Sequence, residues 1–185
     1  MENVKKITTP ITKDMIKTLH AGDILSITGT IYTGRDAAHE RIVQLIKANK
    51  PLPFGLKDSI IYYVGPAPAK PGQAIGSAGP TSSYRMDAYI PYLLACGSLI
   101  SIGKGPRSPE IKADLVKYQG LYLSAVGGTA ALTADSVKKC EVIAYPELGA
   151  EAIHKLEVVD FFAVVTYDAY GGDLLEAGIA QYQIK

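Results

Sequence analysis

The stretch ILSITGTIYTGRDAAHERIVQLIKAN, residues Ile24–Asn49, joins a β-strand pattern to a helix pattern. Its first part, Ile24–Ile31, is rich in β-branched residues that alternate between two faces, which is typical of a strand. Its second part, Arg35–Asn49, repeats apolar residues three and four positions apart, which predicts an amphipathic helix that stops before Pro51. The stretch therefore predicts one strand and one helix connected by a short glycine turn.

Strand and helix patterns also alternate along most of the remaining chain. Strand patterns lie at Ile60–Val64, Leu99–Ile102, Leu121–Val126, Glu141–Tyr145 and Val158–Tyr167, and helix patterns at Thr12–His20, Ser83–Cys96 and Pro109–Gln119. Pro91 predicts a kink or a break in the second of these helices. The glycine- and proline-rich segment 65–80 is predicted to be an ordered functional loop. The alternation predicts an α/β layered fold, and 185 residues suit a single domain.

Composition and charge exclude several classes of protein. The net charge is +1 at pH 7, so no global field would hold the chain on nucleic acid or on a membrane surface. No apolar stretch approaches the roughly 20 residues that span a bilayer, and Met1–Pro10 lacks the apolar core of a signal peptide. Cys96 and Cys140 give neither a disulfide framework nor metal-ligand spacing. A reduced, cytoplasmic setting is expected.

Cations stand at three junctions where a strand pattern gives way to a helix pattern. The junctions are Thr33–Asp36 (TGRD), Gly79–Asp87 (GPTSSYRMD) and Gly103–Pro106 (GKGP). A helix start presents unpaired backbone N–H groups and a partial positive charge, and an added Arg or Lys strengthens its attraction for anions. In α/β folds, ligands gather at the carboxyl ends of the strands. The junctions therefore predict a pocket for a small molecule with more than one carboxylate or phosphate.

Four runs in the sequence carry a resemblance to a known family. They are Gly29–His39 (GTIYTGRDAAH), Gly79–Asp87, Gly103–Gly105 and Gly127–Leu132 (GGTAAL), in this order. Together they closely resemble the beta subunit, or C-terminal domain, of the iron–sulfur-dependent hydro-lyases, which include class I fumarate hydratases and L-tartrate dehydratases. The resemblance covers nearly the whole chain. It implies a single swivelling β/β/α layered domain over residues 1–185.

The resemblance also implies roles for four side chains. Arg35, Arg85 and Lys104 match the positions that hold the two carboxylates of a C4 dicarboxylic acid substrate. Thr81 matches the candidate catalytic base, which takes the proton at the carbon next to a carboxylate with the help of an acidic residue of the alpha subunit. Fixed cations suit this chemistry because negative charge develops on that carboxylate in the transition state. A threonine could act as the base only if nearby cations lower its pKa strongly.

The same resemblance implies that this chain is half of an enzyme. A separate alpha subunit or N-terminal domain holds a [4Fe–4S] cluster through three cysteines in this family. Cys96 and Cys140 are far apart in the sequence, whereas cluster thiolates usually come partly from closely spaced motifs, so the cluster is not expected in this chain. A hetero-oligomer is expected, with a homodimer as the alternative for the isolated chain. Because the half-site should exclude water, an apolar collar is predicted around the four site residues.

Several of these residues also have simpler structural interpretations. The hydroxyl groups of Thr81–Ser83 could merely cap a helix, and Lys104 could be a solvated loop lysine. Asp36 and Asp87 are placed in first helical turns, where carboxylates stabilise a helix. His39 is expected at the surface or behind the site rather than in catalysis.

Three functions remain open at this point. The leading hypothesis is reversible hydration of fumarate to malate, and the second is L-tartrate dehydration. Their substrates differ by one hydroxyl group, which a few pocket contacts can distinguish, and no residue here decides between them. The third, from another class, is a non-enzymatic anion-binding module or a structural partner subunit. Gly103–Gly105 would be its phosphate loop, although the pattern Gly-x-x-x-x-Gly-Lys-[Ser/Thr] is missing.

Overall fold

The computed structural model describes residues 4–126 and 128–184. Within these residues the strands are β1 (Val4–Thr8), β2 (Ile24–Thr33), β3 (Ile60–Tyr62), β4 (Ile100–Gly103), β5 (Leu121–Ser124), β6 (Val137–Ala144) and β7 (Ile153–Tyr167). The α-helices are α1 (Lys13–Ile16), α2 (Asp36–Lys47), α3 (Ile90–Ala95), α4 (Pro109–Tyr118), α5 (Ala130–Ser136) and α6 (Leu174–Tyr182). Short 3₁₀ helices lie at Ser83–Met86 and Pro146–Glu151.

The strands of the described residues form one sheet in the order β1-β2-β3-β4-β5-β7-β6. Strands β1 to β5 are parallel to one another, whereas β7 is antiparallel to both β5 and β6. The 15 residues of β7 are long enough to pair with β2 as well. This additional pairing closes β2, β3, β4, β5 and β7 into a ring.

The core lies on both faces of the central parallel strands. Leu93 of α3 packs beside Ile61 of β3 and Ile100 of β4. On the opposite face of β3, the ring of Tyr62 contacts that of Phe161 on β7, with ring centroids 5.2 Å apart. Successive residues of a strand point to opposite faces, so helices cover one side and β7 covers the other. The predicted α/β fold in a single compact domain is confirmed for the described residues.

The prediction of one continuous helix over Ser83–Cys96 is wrong, because the helix is interrupted in the middle of this range. Ser83–Met86 is a 3₁₀ helix, and α3 starts only at Ile90. The break therefore precedes Pro91, which lies in the first turn of α3. Proline fits there because the N–H group that it lacks has no intrahelical partner at a helix start.

The N-terminal part differs in two ways from the sequence patterns. The predicted helix Thr12–His20 is reduced to α1 at Lys13–Ile16, although the Thr12 hydroxyl caps it as expected and accepts the Met15 N–H at 3.3 Å. No pattern predicts β1, because its polar residues hide any alternation, and pairing with β2 holds it in place.

The remaining predicted strands and helices are confirmed, with some changes at their ends. Strands β6 and β7 begin earlier than their apolar patterns, at Val137 and Ile153. The last helix, α6, occupies the final segment that the sequence leaves unassigned. In the run Gly127–Leu132, Gly127 lies outside the described residues and α5 begins at Ala130.

Candidate functional site

The carboxyl ends of the parallel strands lie side by side at one edge of the sheet. Thr33, the last residue of β2, is opposite the last residue of β3, and the last residues of β4 and β5 are also opposite each other. Just beyond β4, Lys104 makes an isolated parallel bridge with Ser82. All three cationic junctions therefore lie along the edge where α/β folds place their ligands.

Arg35 and Arg85 converge on the carboxylate of Asp36. Arg85 Nε donates to Asp36 Oδ1 at 3.0 Å, and Arg85 Nη2 lies 2.9 Å from Oδ2. Arg35 Nη2 lies 4.0 Å from the same Oδ2. Arg35 precedes α2, whereas Arg85 belongs to the 3₁₀ helix Ser83–Met86. Two separate elements therefore bring two guanidinium groups together.

The side chain of Arg35 is held from two further directions. Its Nη2 lies 3.2 Å from Glu151 Oε1, at the end of the 3₁₀ helix Pro146–Glu151. It also runs close to Gly65, where an added methyl group would lie 2.9 Å from Nη1. Within the described ranges, Arg35 Nε is buried and has no hydrogen-bond partner. Arg35 is therefore fixed in place while one of its donors remains unused.

Thr81 is fixed through its backbone rather than its side chain. Its N–H group donates to the carbonyl of Tyr63 at 2.6 Å. The N-cap position of the following 3₁₀ helix belongs to Ser82, whose side chain makes no capping bond in the described part of the chain. The hydroxyl of Thr81 therefore stands next to the N-cap position on a partly exposed residue.

Ser83 has a structural role, although its hydroxyl group binds the backbone at Lys104 and does not cap a helix. It is fully buried, and its Oγ accepts the backbone N–H of Lys104 at 3.0 Å. The hydroxyl of Tyr122 lies 2.9 Å from the same Oγ and donates to the carbonyl of Gly105 at 2.9 Å. These bonds fix the backbone of Lys104, while its side chain is exposed.

The structure thus brings the four predicted site residues to one edge of the sheet. Arg35 and Arg85 meet at Asp36, and the segment that begins at Thr81 pairs with the backbone at Lys104. The pocket and the chemical roles of the four side chains remain predictions.

His39 is buried, so of the two expected positions it takes the one behind the site and not the one at the surface. Its Nδ1 lies 2.8 Å from the carbonyl of Arg35, and since that oxygen only accepts, Nδ1 carries the hydrogen. Burial lowers the pKa of His39 to about 4, and the positive charge of Arg107 acts in the same direction. A signal was present in the sequence, because His39 lies three residues before Ile42 on the apolar face of α2.

Sequence reasoning missed two charged residues behind the site. Glu151 pairs with Arg35, and Arg107 is completely buried beside Asp87, with its Nε 2.6 Å from Asp87 Oδ1. Burial alone would lower the pKa of Arg107, but Tyr63 and Asp87 reverse this effect and raise it. A cation after a proline in a glycine loop is typical of a surface residue, so the sequence gives no signal for its burial.

The described residues do not supply a ligand set for an iron–sulfur cluster. Among the described residues, no group of three or more His, Cys, Asp or Glu side chains could hold a metal ion. Cys96 follows α3 and Cys140 lies on β6, and both are thiols that are only partly buried. Clusters are held by several cysteine thiolates together, which two thiols on separate elements do not supply. In the same residues, no helix has both the length and the apolar character needed to cross a bilayer.

Comparison with known proteins gives a consistent result. The family model described as fumarase C-terminus matches residues 2–178. The chain is 47% identical over 154 residues to the anaerobic class I fumarate hydratase of Escherichia coli (strain K12), covering 82% of this chain and 28% of that protein. It is 41% identical over 161 residues to fumarate hydratase 2 of Leishmania major, covering 86% and 28%.

A third relative has a different length. The chain is 39% identical over 172 residues to the putative L(+)-tartrate dehydratase subunit beta of Methanocaldococcus jannaschii, covering 90% of this chain and 88% of that protein. The chain therefore spans little more than a quarter of the curated fumarate hydratases that it matches, and almost all of this subunit.

Proposed function

The chain belongs to the fumarase C-terminus family, and on this premise we propose that it is the beta-type part of a [4Fe–4S] fumarate hydratase that interconverts fumarate and malate. In this proposal residues 1–185 form one hydro-lyase beta-type domain with a swivelling β/β/α fold. The ring closed by β7 and the helices on the opposite face of the parallel strands support this fold. A cytoplasmic setting is part of the same proposal.

One observation carries the proposal: two arginines from separate elements meet at one carboxylate beside a lysine and a hydroxyl residue. Arg35 and Arg85 both approach Asp36, while Lys104 and Thr81 lie at the neighbouring strand ends. A guanidinium group can bind a carboxylate through two parallel hydrogen bonds, and an ammonium group acts as a point charge. Such a set suits a substrate with two carboxylates.

The reaction needs these residues in different roles. Thr81 accepts the proton from the carbon next to one carboxylate, and negative charge then develops on that carboxylate. Arg35, Arg85 and Lys104 stabilise this charge more in the transition state than in the ground state. The cations also favour the deprotonated form of Thr81, since opposite charges nearby lower a pKa.

The partner completes the site in this proposal. The partner subunit or domain holds the [4Fe–4S] cluster and contributes an acidic residue that assists Thr81. The name of the tartrate dehydratase relative, a subunit beta, supports a hetero-oligomer. Most of the length of the fumarate hydratase relatives lies outside the matched region, which leaves room for a further part that holds the cluster, whether subunit or domain.

An exposed apolar surface beside the site supports the predicted collar. Tyr84 lies between Thr81 and Arg85 in the chain and is 64% exposed. Val126, which follows β5, and Leu132 of α5 line a cavity of about 230 Å³ and are also exposed. Helix α5 is tied to the loop before Thr81, because Ala130 O accepts the Ala78 N–H at 3.1 Å. The partner covers this surface in the proposed assembly.

L-tartrate dehydration is a second candidate, and one observation favours it. One relative is named putative L(+)-tartrate dehydratase subunit beta, and it is 39% identical to this chain over 172 residues. The same clamp would bind tartrate, which also carries two carboxylates. A non-enzymatic anion-binding or structural role would use the same fold without chemistry by Thr81.

The test is an anaerobic assay of this chain mixed with its iron–sulfur partner. Fumarate, malate and both tartrate enantiomers are supplied separately, and each component is also assayed alone. We expect activity only in the mixture. Arg85→Ala should lower kcat/KM by about 10²–10³-fold, as the loss of other groups that stabilise an oxyanion does.

Arg41→Ala is the matched control for Arg85→Ala. Arg41 lies on α2 and pairs with Glu147 instead of Asp36, so its loss removes an ion-paired arginine from outside the clamp. We expect wild-type kinetics from it. Turnover of tartrate alone would select the second candidate, and unchanged turnover in Arg85→Ala would favour a structural subunit.

A further inference from the structure

Arg107 lies at the centre of a buried polar cluster behind the proposed clamp. Its side chain is completely buried, and its guanidinium carbon lies 5.6 Å from the ring centroid of Tyr63 and 5.1 Å from that of Tyr122. A cation over the face of an aromatic ring is attracted by the ring quadrupole. Two tyrosines and one carboxylate, that of Asp87, therefore hold this charge inside the fold.

One connection leads from Arg107 to the segment that carries Arg85. Asp87 follows the 3₁₀ helix Ser83–Met86 directly and accepts from Arg107 Nε at 2.6 Å. Its second oxygen accepts the backbone N–H of Ser108 at 2.9 Å. The end of the 3₁₀ helix is thereby fixed two residues after Arg85.

A second connection leads through Tyr63 to Thr81 and Arg35. The carbonyl of Tyr63 accepts the Thr81 N–H at 2.6 Å. The ring of Tyr63 meets that of His39 edge to face, with centroids 5.4 Å apart, and His39 Nδ1 donates to the carbonyl of Arg35. Tyr63 therefore contacts both the proposed base segment and the residue that anchors Arg35.

A third connection leads through Tyr122 to Lys104. The Tyr122 hydroxyl lies 2.9 Å from Ser83 Oγ, which accepts the Lys104 N–H at 3.0 Å. Burial raises the pKa of Tyr122 to about 12, so its hydroxyl keeps its hydrogen near neutral pH. These contacts form one network, which consists of Arg107, Tyr63, Tyr122 and His39. It contacts the backbone at or near each of the four proposed site residues.

We propose that Arg107 is a positioning residue, which acts through Tyr63, Tyr122 and Asp87 to hold the clamp and Thr81 in one arrangement. This inference rests on the proposed function for the identity of the substrate. A buried ion pair is often no more stabilising than apolar residues of the same volume, so stability alone gives a weak reason for an arginine here. A fixed geometry gives a stronger one, because small displacements of binding groups cost much of an enzyme's rate.

Two conservative substitutions test the proposal without emptying the site. Arg107→Lys keeps the charge but loses the flat guanidinium between the two rings, and Tyr122→Phe removes only the hydroxyl beside Ser83. In the enzyme assembled with its partner, we expect kcat/KM to fall at least about tenfold in each. Ile16→Ala is the control for lost stability, because Ile16 is fully buried in α1, which precedes the opposite end of β2. It should keep the wild-type kcat and KM.

His39 provides a rescue experiment. His39→Asn places an amide N–H where Nδ1 stands, whereas His39→Leu has a similar size and no donor. We expect the Asn variant to keep most of the activity and the Leu variant to lose it. Equal activity in the two variants, or losses in Arg107→Lys and Tyr122→Phe no larger than in Ile16→Ala, would overturn the proposal.

A readout that needs no substrate separates this inference from the proposed function. NMR spectra of the full chain report the Nε–Hε signals of Arg35 and Arg85 and the amide signal of Thr81. We expect all three to shift in Arg107→Lys and to remain in place in Ile16→Ala. If the wild-type assembly is inactive on all C4 diacids, the proposed function fails, and these signals still decide on the network. If the three signals stay in place in Arg107→Lys, the positioning role of Arg107 is overturned.

Discussion

The carboxylate of Asp36 accepts a hydrogen bond from Arg85 Nε through Oδ1 at 3.0 Å, and its Oδ2 lies 2.9 Å from Arg85 Nη2. This pair joins the first turn of α2 to the 3₁₀ helix that follows the long loop. The Arg85 side chain is 44% exposed, so the pair adds at most about 1 kcal/mol to stability. The main effect of this pair is to orient the arginine. The pair uses Nε and Nη2 of Arg85 and does not use Nη1.

Asp36→Asn should therefore affect binding more than stability. The amide keeps the size of the side chain but loses the charge that orients Arg85. We expect the KM for the diacid to rise about tenfold, equivalent to the loss of one well-placed charged hydrogen bond, while unfolding by urea changes by less than about 1 kcal/mol.

Asp14→Asn is the matched control for this substitution. Asp14 is also an aspartate in the first turn of a helix and pairs with a cation, Lys17, but it lies in α1 near the opposite end of β2. An unchanged KM in both variants would mean that Asp36 only stabilises its helix.

Gly65→Ala should disturb Arg35 by contact alone. The added methyl group would lie 2.9 Å from Arg35 Nη1 and 3.0 Å from the carbonyl oxygen of Ala150. Because the backbone oxygen cannot easily move, the arginine must. We expect a rise in KM of several-fold, measured with the assembled enzyme. In Gly55→Ala the methyl group meets no described atom within 4 Å, so this control should behave like the wild type.

Local sequence patterns predicted the central fold because they have local causes. The strand β2 and the helix α2 follow from β-branched alternation and from apolar spacing between Ile24 and Lys47. The Thr12 cap follows from hydroxyl chemistry at a helix start. The edge position of the cations follows from parallel strands, whose carboxyl ends must lie together.

Long-range pairing explains what the sequence could not predict. Strand β1 forms although its residues show no alternation, because β2 offers it an edge. Glu151 reaches Arg35 only because β7, which begins two residues later, runs back beside β2. The burial of Arg107 depends on Tyr63 and Tyr122 from two different strand regions, and no local window contains all three.

Ser83→Ala should damage the site and the fold together. Removal of Oγ leaves the partly buried N–H of Lys104 without its acceptor, which costs about 1 kcal/mol. We also expect kcat/KM to fall, since the backbone of Lys104 loses its anchor. Ser59→Ala removes another buried hydroxyl, whose Oγ donates to the Leu56 carbonyl at 2.7 Å. The Ser59→Ala variant should lose stability and keep its kcat/KM. Equal losses of kcat/KM in Ser83→Ala and Ser59→Ala would show that Ser83 has no special role in the site.

Stability should fall as the pH drops from 6.5 to 4 because of His39. In the unfolded chain this histidine binds a proton below its usual pKa of 6.5, whereas burial holds the folded pKa at about 4. Unfolding therefore takes up a proton in this window, and acid favours it. The shift corresponds to about 3 kcal/mol lost by pH 4.

Urea unfolding at several pH values measures this loss. His39→Asn has no titrating ring and should show a flatter dependence between pH 6.5 and 4. Part of the slope should remain, because burial also lowers the pKa of His154. An unchanged slope in His39→Asn would show that His39 is protonated in the folded protein.

The role of Thr81 as the base gives the sharpest prediction. Thr81→Val keeps the shape of the side chain and the backbone bond to Tyr63, but it has no oxygen to accept a proton. A general base contributes about 10²–10⁴-fold, so kcat should fall by that amount. The KM should change little, because Arg35, Arg85 and Lys104 remain. Exchange of the substrate C–H hydrogen in D₂O should be lost in parallel.

Thr81→Ser retains a hydroxyl that can still reach the substrate proton. We therefore expect activity and hydrogen exchange within about tenfold of the wild type. Thr18→Val is a control for the loss of a threonine hydroxyl outside the site, since Thr18 Oγ1 only donates to the Met15 carbonyl. Wild-type exchange in Thr81→Val would assign the base to the acidic residue of the partner. The clamp formed at Asp36 would then be the whole contribution of this chain to the chemistry.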